Sequence, residues 1–157
     1  HANPSFWHQA LRNKSDDVLR ALGQTGGMLG FSIYPHHLKD GSNCTLQGFC
    51  DMIARTADLM GPENIGIGTD LCQDQPDSVV EWMRVGRWTK SIDYGEGSAS
   101  NPGFPPMPTW FQDNRHFDAI QTGLSATGMS AENIQGVMGE NWRRFFANSF
   151  ESEVKNG

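Results

Sequence analysis

The amino-acid sequence predicts an α/β protein built from parallel strand–helix units. Two mostly apolar segments, residues 28–34 and 65–69, lack strict alternation of apolar and polar side chains, which is typical of strands covered on both faces. Each segment follows a stretch with helical spacing, and the connections are short. Because parallel neighbours need a crossover helix, this order of elements favours a parallel sheet.

The first helix is expected to begin at Ser15, whose hydroxyl can accept from free backbone amides. The two acids that follow oppose the positive end of the helix dipole. An apolar stripe comes next and two glycines end the helix, in the order Asp16, Asp17, Val18, Leu19, Leu22, Gly26 and Gly27. The first strand, residues 28–34, stops at Pro35.

A second helix precedes the second strand. Its apolar positions follow helical spacing and Gly61-Pro62 ends it; they are Leu46, Phe49, Ile53, Ala57 and Met60. The strand at 65–69 then places Asp70 at its C-terminal end.

Beyond Asp70 the alternation breaks. We predict a long insert loop at about residues 73–112, with a short helix at residues 79–83. Residues 95–108 of this loop are rich in Gly, Ser and Pro, and Phe104, Met107 and Trp110 give the loop apolar anchors. Two helices are predicted after it. Their apolar positions are Phe117, Ile120 and Leu124 in one, and Ile134, Val137, Met138, Trp142, Phe145 and Phe146 in the other, which begins at Ser130.

Composition excludes several classes of function. With 12 Lys+Arg against 18 Asp+Glu, the net charge of -6 opposes binding to nucleic acid or to an anionic membrane. No apolar run approaches the ~20 residues of a membrane helix, so a soluble protein without a membrane span is expected. Cys44, Cys50 and Cys72 form no C-x-x-C pair, which indicates buried thiols and a cytoplasmic location, with the periplasm or secretion left open.

The barrel that such units usually build is incomplete here. A (β/α)8 barrel needs ~250 residues and eight strands, whereas these 157 residues hold two strands and perhaps the end of a third at His1. A partial sheet would leave unpaired edges. We therefore expect the remainder of the barrel upstream in the same gene product or in a separate chain. The chain also begins with His rather than Met.

Two side chains at predicted strand ends could do chemistry. His1 and Asp70 would both lie at the C-terminal face of a parallel barrel, where catalytic groups gather. An imidazole is a usual zinc ligand, and a nearby carboxylate can take a proton from metal-activated water. The alternatives are a disordered terminal His and an Asp that caps a helix or a turn.

Five segments, in order and in register, carry a resemblance. They are His1-Ala2-Asn3, Arg12-Asn13 with residues 15–20, Gly26 to Gly30 leading to Tyr34-Pro35, Gly66 to Asp70, and Gly139 to Phe146. Together they resemble the membrane-dipeptidase (renal dipeptidase) family of zinc metallopeptidases. The resemblance implies the C-terminal portion of a (β/α)8 TIM barrel of the metal-dependent hydrolase type, with two Zn²⁺ ions, a bridging Glu and a hydroxide that attacks the peptide bond of a dipeptide.

The resemblance also implies roles for individual residues. His1 matches a zinc-ligating His, Arg12 matches the Arg that holds the substrate carboxylate, and Asp70 matches the acid–base carboxylate. Tyr34 falls where the family has a substrate-side Tyr, although a core Tyr at a strand end is the alternative. The family's His-x-Asp pair, its bridging Glu and its other zinc-ligating His have no counterpart in this sequence.

Other features admit more than one interpretation. Adjacent His side chains on an extended segment point to opposite faces, so His36 and His37 are predicted to have pocket or surface roles rather than to share a metal. The insert loop could set side-chain preference, act as a lid or contact another subunit. We expect a single unit, residues 1–157, in a homo-oligomer.

Three functions remain open at this point. The first is a metal-dependent dipeptidase that takes part of its site from elsewhere. The second is a non-catalytic barrel remnant that binds a small carboxylate through Arg12 and Asp70. The third is an unrelated metal-dependent amidohydrolase barrel, which would lack the match at Arg12-Asn13 and that at Gly139 to Phe146.

Overall fold

The computed structural model describes residues 1–84 and 103–151. Within these ranges there are two strands, β1 (Leu29–Phe31) and β2 (Ile65–Ile67). The α-helices are α1 (Asp16–Gln24), α2 (Leu46–Met60), α3 (Ser78–Arg84), α4 (Phe117–Ala126), α5 (Ala131–Gln135) and α6 (Asn141–Glu151). Short 3-10 turns lie at Pro35–His37, Gly41–Asn43, Pro62–Asn64 and Asn114–His116.

The two strands form a parallel pair, which confirms the predicted α/β arrangement. Leu29 pairs with Ile65 and Phe31 pairs with Ile67. Pairing continues past the strand ends, because the amide of Ile33 donates to the carbonyl of Thr69 over 3.0 Å. Both strands are shorter than predicted, at three residues each. The amide of Ala2 donates to the carbonyl of Gly30 over 3.0 Å, so the start of the chain runs beside β1.

The core lies between this strand pair and helices α1, α2 and α4. Its largest fully buried side chains include Phe31, Ile33, Phe49, Ile53 and Ile65. Each such side chain contributes about 1.5–3 kcal/mol relative to exposure. The rings of Phe31 and Phe49 meet edge to face, 6.5 Å between centroids, which joins β1 to α2.

Helix α1 differs from its prediction in two respects. Ser15 occupies the N-cap position, but its side chain makes no capping hydrogen bond, so only the acids of the first turn favour the helix start. Val18 is 50% exposed, and Leu19 is fully buried. The apolar face is therefore narrower than the sequence pattern indicated. Thr45 and Ser130, by contrast, do cap their helices by accepting from the amides of Gly48 and Asn133.

The C-terminal helix was predicted to be continuous from Ser130, and this is wrong. Helix α5 ends at Gln135, a kinked segment covers Gly136–Glu140, and α6 begins at Asn141. Gly139 has φ 156° and ψ -27°, a conformation that is costly for any residue with a Cβ. The periodic apolar pattern persists across the kink, which is why spacing alone did not reveal it.

Helix α6 is tied to β2 by two side chains at its start. The Asn141 amide donates to the carbonyls of Pro62 and Ile65, both over 2.8 Å. The indole nitrogen of Trp142 donates to the carbonyl of Ile67 over 3.1 Å. A Cβ on Gly66 would collide with the indole, whereas a Cβ on Gly30 would stand 3.2 Å from it, which is a tight contact.

The cysteines only partly follow the prediction of buried thiols. None of the three, all of which lie in the described ranges, forms a disulfide. Burial raises the pKa of Cys44 to about 11 and that of Cys50 to about 12. Cys72 is exposed, so for this residue the prediction was wrong.

The insert loop is described in part, because residues 85–102 lie outside the described ranges. The predicted helix near 79–83 is present as α3. Trp110 anchors the far end of the loop, since its indole nitrogen donates to the carbonyl of Cys44 over 2.7 Å and its ring lies 5.2 Å from that of Phe49. In the part of the chain that the structure describes, no helix has the length and apolarity needed to cross a membrane.

Candidate active site

The candidate site lies where the chain leaves β1 and β2. Nε2 of His1 stands 3.2 Å from Oδ2 of Asp70, so the structure brings together the two residues predicted from strand ends. Their side chains are 37% and 29% exposed, which leaves both open to a ligand. Asp70 has φ 59°, a left-handed conformation that Asp tolerates better than most residues.

Electrostatics at Asp70 favour a proton-accepting carboxylate. Desolvation by burial raises the pKa of Asp70, and the positive charge of Arg12 opposes that rise. Arg12 is exposed, and its charge also acts on His37. The predicted residues His1, Arg12 and Asp70 therefore share one electrostatic environment.

Behind these residues, two buried asparagines hold the backbone together; we call Asn3, Asn13, Ser32 and the carbonyl of His37 the asparagine network. The Asn3 amide group donates to the carbonyls of Ser32 and His37, while its Oδ1 accepts from the amide of Ser32. The Asn13 side chain accepts from the amide of Asn3 and donates to the carbonyl of His37, both over 3.0 Å.

The asparagine network positions two of the candidate residues. Asn3 follows His1 by two residues, and Asn13 comes directly after Arg12. Both asparagines donate to the same carbonyl, that of His37, in the turn after β1. Buried amides that are fully hydrogen-bonded restrict the backbone strongly, because any displacement leaves a polar group unpaired. The backbone next to His1 and Arg12 is thereby fixed relative to β1.

His36 and His37 do not lie on an extended segment as predicted, because Pro35–His37 forms a 3-10 turn. A surface role for His37 is also wrong, since it is buried and its Nδ1 lies 2.8 Å from Oγ of Ser32. Its ring is stacked beside that of His1, with 6.3 Å between centroids. Burial, followed by the charge of Arg12, lowers the pKa of His37 to about 4, so this imidazole is neutral at pH 7.

Tyr34 stands at the edge of the same site. It is buried, and its ring centroid lies 5.3 Å from that of His37. It also lines a cavity of about 570 Å³, which we call the insert cavity. The other lining residues are residues 71–74, Phe104, Pro105 and Met107, and residues 112–115. The insert cavity therefore begins at the residue next to Asp70.

The donors present do not make a complete zinc centre. Zinc requires three or four protein ligands, and of this pair only His1 is a candidate ligand, because Asp70 is the candidate acid–base group. Among residues 1–84 and 103–151, no group of three or more His, Cys, Asp or Glu side chains could hold a metal ion. The described residues fit one side of such a centre.

The sequence-based prediction missed the asparagine network and the buried position of His37. Asn3 and Asn13 lie within the recognised segments, but an Asn in a turn is common, and its partners are 10–34 residues away in the chain. One signal was available in the sequence: an Asn follows each of two candidate residues closely, Asn3 two positions after His1 and Asn13 one position after Arg12.

Comparison with known proteins places these observations in a family context. Residues 1–89 match the model of the membrane dipeptidase family, peptidase family M19. The fold resembles that of an amidohydrolase from Pseudomonas aeruginosa, with a TM-score of 0.76 and 27% identity, over 94% of this chain and 43% of that one.

Two further solved structures share the fold at lower identity. Dipeptidase AC, a metallopeptidase of family M19, gives a TM-score of 0.68 at 16% identity, over 94% of this chain and 36% of that one. A metallopeptidase from Rhodobacter sphaeroides, liganded with a phosphinate mimic of the dipeptide L-Ala-D-Ala, gives a TM-score of 0.65 at 17% identity, over 90% of this chain and 33% of that one. The chain thus spans less than half the length of each of these three proteins.

Proposed function

The chain belongs to the membrane dipeptidase family, and we propose that it is the C-terminal part of a metal-dependent dipeptidase. The observation that carries this proposal is the contact of 3.2 Å between His1 Nε2 and Asp70 Oδ2. A candidate metal ligand and a candidate acid–base group thus meet where the backbone leaves two parallel strands. Such a meeting point is where α/β folds place their chemistry.

In this proposal, residues 1–157 form a single unit and supply the last strands of a (β/α)8 barrel. The parallel pair β1–β2 and its flanking helices support that assignment, as does the coverage of 43% of the amidohydrolase chain. The remaining barrel strands and metal ligands would come from an upstream segment of the same gene product or from a separate chain.

Each candidate residue has a part in the proposed reaction. The planar guanidinium of Arg12 would hold the carboxylate of the dipeptide through two hydrogen bonds. Asp70, whose pKa burial raises, would accept a proton at its carboxylate and pass it to the leaving amine. Tyr34 would contact the substrate. His1 would be a ligand of one of two zinc ions, and these ions would activate the attacking water.

The test requires the full-length gene product, purified without chelators. We expect an intact mass well above the 17.4 kDa of this chain, about two zinc ions per molecule, and hydrolysis of Ala-Ala that dialysis against a chelator abolishes. A metal-free protein that hydrolyses no dipeptide would contradict the proposal. Binding of a small carboxylate by such a protein, lost in Arg12→Ala, would indicate the non-catalytic remnant instead.

A further inference from the structure

The insert cavity is a built feature rather than a gap between loose segments. Two of its lining segments are hydrogen-bonded to each other, because the amide of Asn114 donates to Oε1 of Gln73. A third is held by a residue outside the lining, since the amide of Phe104 donates to Oδ1 of Asp77. The volume of about 570 Å³ lies within the range of small-molecule sites. It can hold a long side chain.

The position of the insert cavity relates it to the proposed reaction. Leu71 and Cys72 line it and follow Asp70 directly, and Tyr34 belongs both to its wall and to the ring cluster around His37. Arg12 is not among the lining residues. This separation is compatible with a dipeptide whose carboxylate is held by Arg12 and whose amino-terminal residue faces the cavity.

The lining combines apolar walls with one surplus negative charge. Leu71, Phe104 and Met107 supply half-buried apolar surface. Arg115 is already neutralised, since its Nε donates to both carboxylate oxygens of Asp113 over 3.1 Å. Among the described lining residues three side chains are charged, and the pairing of Asp113 with Arg115 leaves Asp74 as the net negative charge. The Asp74 carboxylate accepts a hydrogen bond from the uncharged Gln73.

We propose that the insert cavity is the subsite for the amino-terminal side chain of the substrate and that it selects a long chain with a positively charged end, as in lysine. The apolar walls would pack against the methylene stem, and Asp74 would attract the ammonium group. This inference rests on the proposed dipeptidase function, and it names the class of dipeptide that the site prefers.

The first experiment measures selectivity of the full-length, zinc-loaded protein. We expect kcat/KM for Lys-Ala to exceed that for Ala-Ala by at least about tenfold, because the stem is buried, and to exceed that for Met-Ala, which lacks the charge. Asp74→Asn should lower the ratio of Lys-Ala to Met-Ala by about fivefold. Asn tolerates the left-handed φ of 58° at this position, so the backbone is conserved.

The matched control is Asp58→Asn, which removes the same charge from an exposed position on α2 and should leave both rates unchanged. The inference is overturned if Met-Ala or Glu-Ala is hydrolysed as well as Lys-Ala, or if Asp74→Asn leaves the ratio unaltered. A preference for Ala-Lys over Lys-Ala would also overturn it, because the cavity would then receive the other residue.

A second measurement does not depend on hydrolysis. Cys72 lines the cavity and is exposed, whereas burial raises the pKa of Cys44 and of Cys50, so iodoacetamide should react first at Cys72. In an Asp70→Asn variant, Lys-Ala should slow this alkylation several-fold more than Ala-Ala does, as followed by peptide mapping. If Lys-Ala protects Cys72 selectively but the wild type hydrolyses no dipeptide, the dipeptidase proposal is refuted and the subsite is retained. If the wild type hydrolyses dipeptides but Lys-Ala gives no selective protection, only the subsite is refuted.

Discussion

Two regions of the molecule are rich in hydrogen bonds, and they differ in burial and in charge. The asparagine network is neutral and buried, with Asn3 fully enclosed and Asn13 8% exposed. The pair formed by Asp113 and Arg115, on the rim of the insert cavity, is charged, and the Arg115 side chain is 83% exposed. The first region holds the residues proposed for catalysis, and the second borders the surface proposed for selectivity.

The difference indicates which of the two regions tolerates substitution. A buried amide that loses its partner has no water to replace it, so each lost bond costs about 1–3 kcal/mol. An exposed ion pair exchanges its partner for solvent with little loss. We infer that the catalytic geometry is held by contacts that tolerate no substitution, while the cavity rim can vary without unfolding the protein.

The largest effect is expected at Asp70, the carboxylate that contacts His1. Asp70→Asn in the full-length protein should lower kcat/KM for Ala-Ala by about 10²–10⁴-fold, because the acid–base group is lost. Zinc content should stay the same, because Asp70 is proposed as the acid–base group and not as a zinc ligand, and Asn keeps the left-handed backbone at this position. Near wild-type turnover, measured beside Asp58→Asn as the control, would remove Asp70 from the reaction.

The asparagine network itself should be sensitive to one deletion. Asn13→Ala removes the bonds to the amide of Asn3 and to the carbonyls of His8 and His37, and should lower the free energy of unfolding by about 2–4 kcal/mol. Urea denaturation measures this. The exposed Asn43→Ala should change it by less than about 0.5 kcal/mol, and equal effects for both variants would break the comparison.

Arg12→Ala should act on binding more than on turnover. Loss of a charge-assisted pair with the substrate carboxylate should raise KM roughly 10–100-fold with a smaller change in kcat. Arg20→Ala, an exposed Arg on α1, serves as the control and should leave KM unchanged. Arg12→Lys should recover only part of the loss, because the ammonium lacks the bidentate fork; an unaltered KM in Arg12→Ala would exclude its proposed role.

His37 makes the buried region depend on pH. Its pKa is lowered from 6.5 to about 4 in the folded protein, chiefly by burial, so its stabilising contribution is complete above pH 6.5 and is lost as the pH falls towards 4. Between pH 7 and pH 5 this amounts to about 2 kcal/mol. His37→Gln cannot titrate and should flatten the decline in unfolding free energy over that interval. An unchanged decline would mean that other groups cause it.

The smallest effect is expected on the cavity rim. Arg115→Gln breaks the ion pair with Asp113 at an exposed position, so the midpoint of urea denaturation should match that of the wild type within error. A loss as large as that of Asn13→Ala would show that exposure does not separate the two regions.

Much of the fold could be predicted from local patterns. The spacing of apolar residues placed α2 at its observed bounds, and the mostly apolar segment before Asp70 indicated β2. The same patterns failed where the backbone departs from an average helix. Val18 follows the apolar spacing of α1 yet is half exposed, and Gly139 interrupts a helix whose apolar period continues across it.

The sequence predicted the candidate site residues but not the residues that surround them and hold the backbone in place. Position after a strand and resemblance to a family both pointed to His1 and Asp70, which the structure brings together. The roles of Asn3, Asn13 and His37 depend on partners far away in the chain, and amide side chains carry no periodic signal. The exposure of Cys72 likewise follows from tertiary packing, which three cysteines in a sequence do not reveal.

The indole of Trp142 makes three positions interdependent. It fills the space that side chains at residues 30 and 66 would otherwise occupy, and it binds the carbonyl of Ile67, three residues before Asp70. A relative with a side chain at position 66 must therefore have a smaller residue at position 142, whereas a side chain at position 30 requires only a small shift of the indole. Positions 66 and 142 should therefore covary, with a weaker dependence at position 30. This gives an alignment-based criterion for telling relatives that share this C-terminal packing from those that share only the strand-end residues.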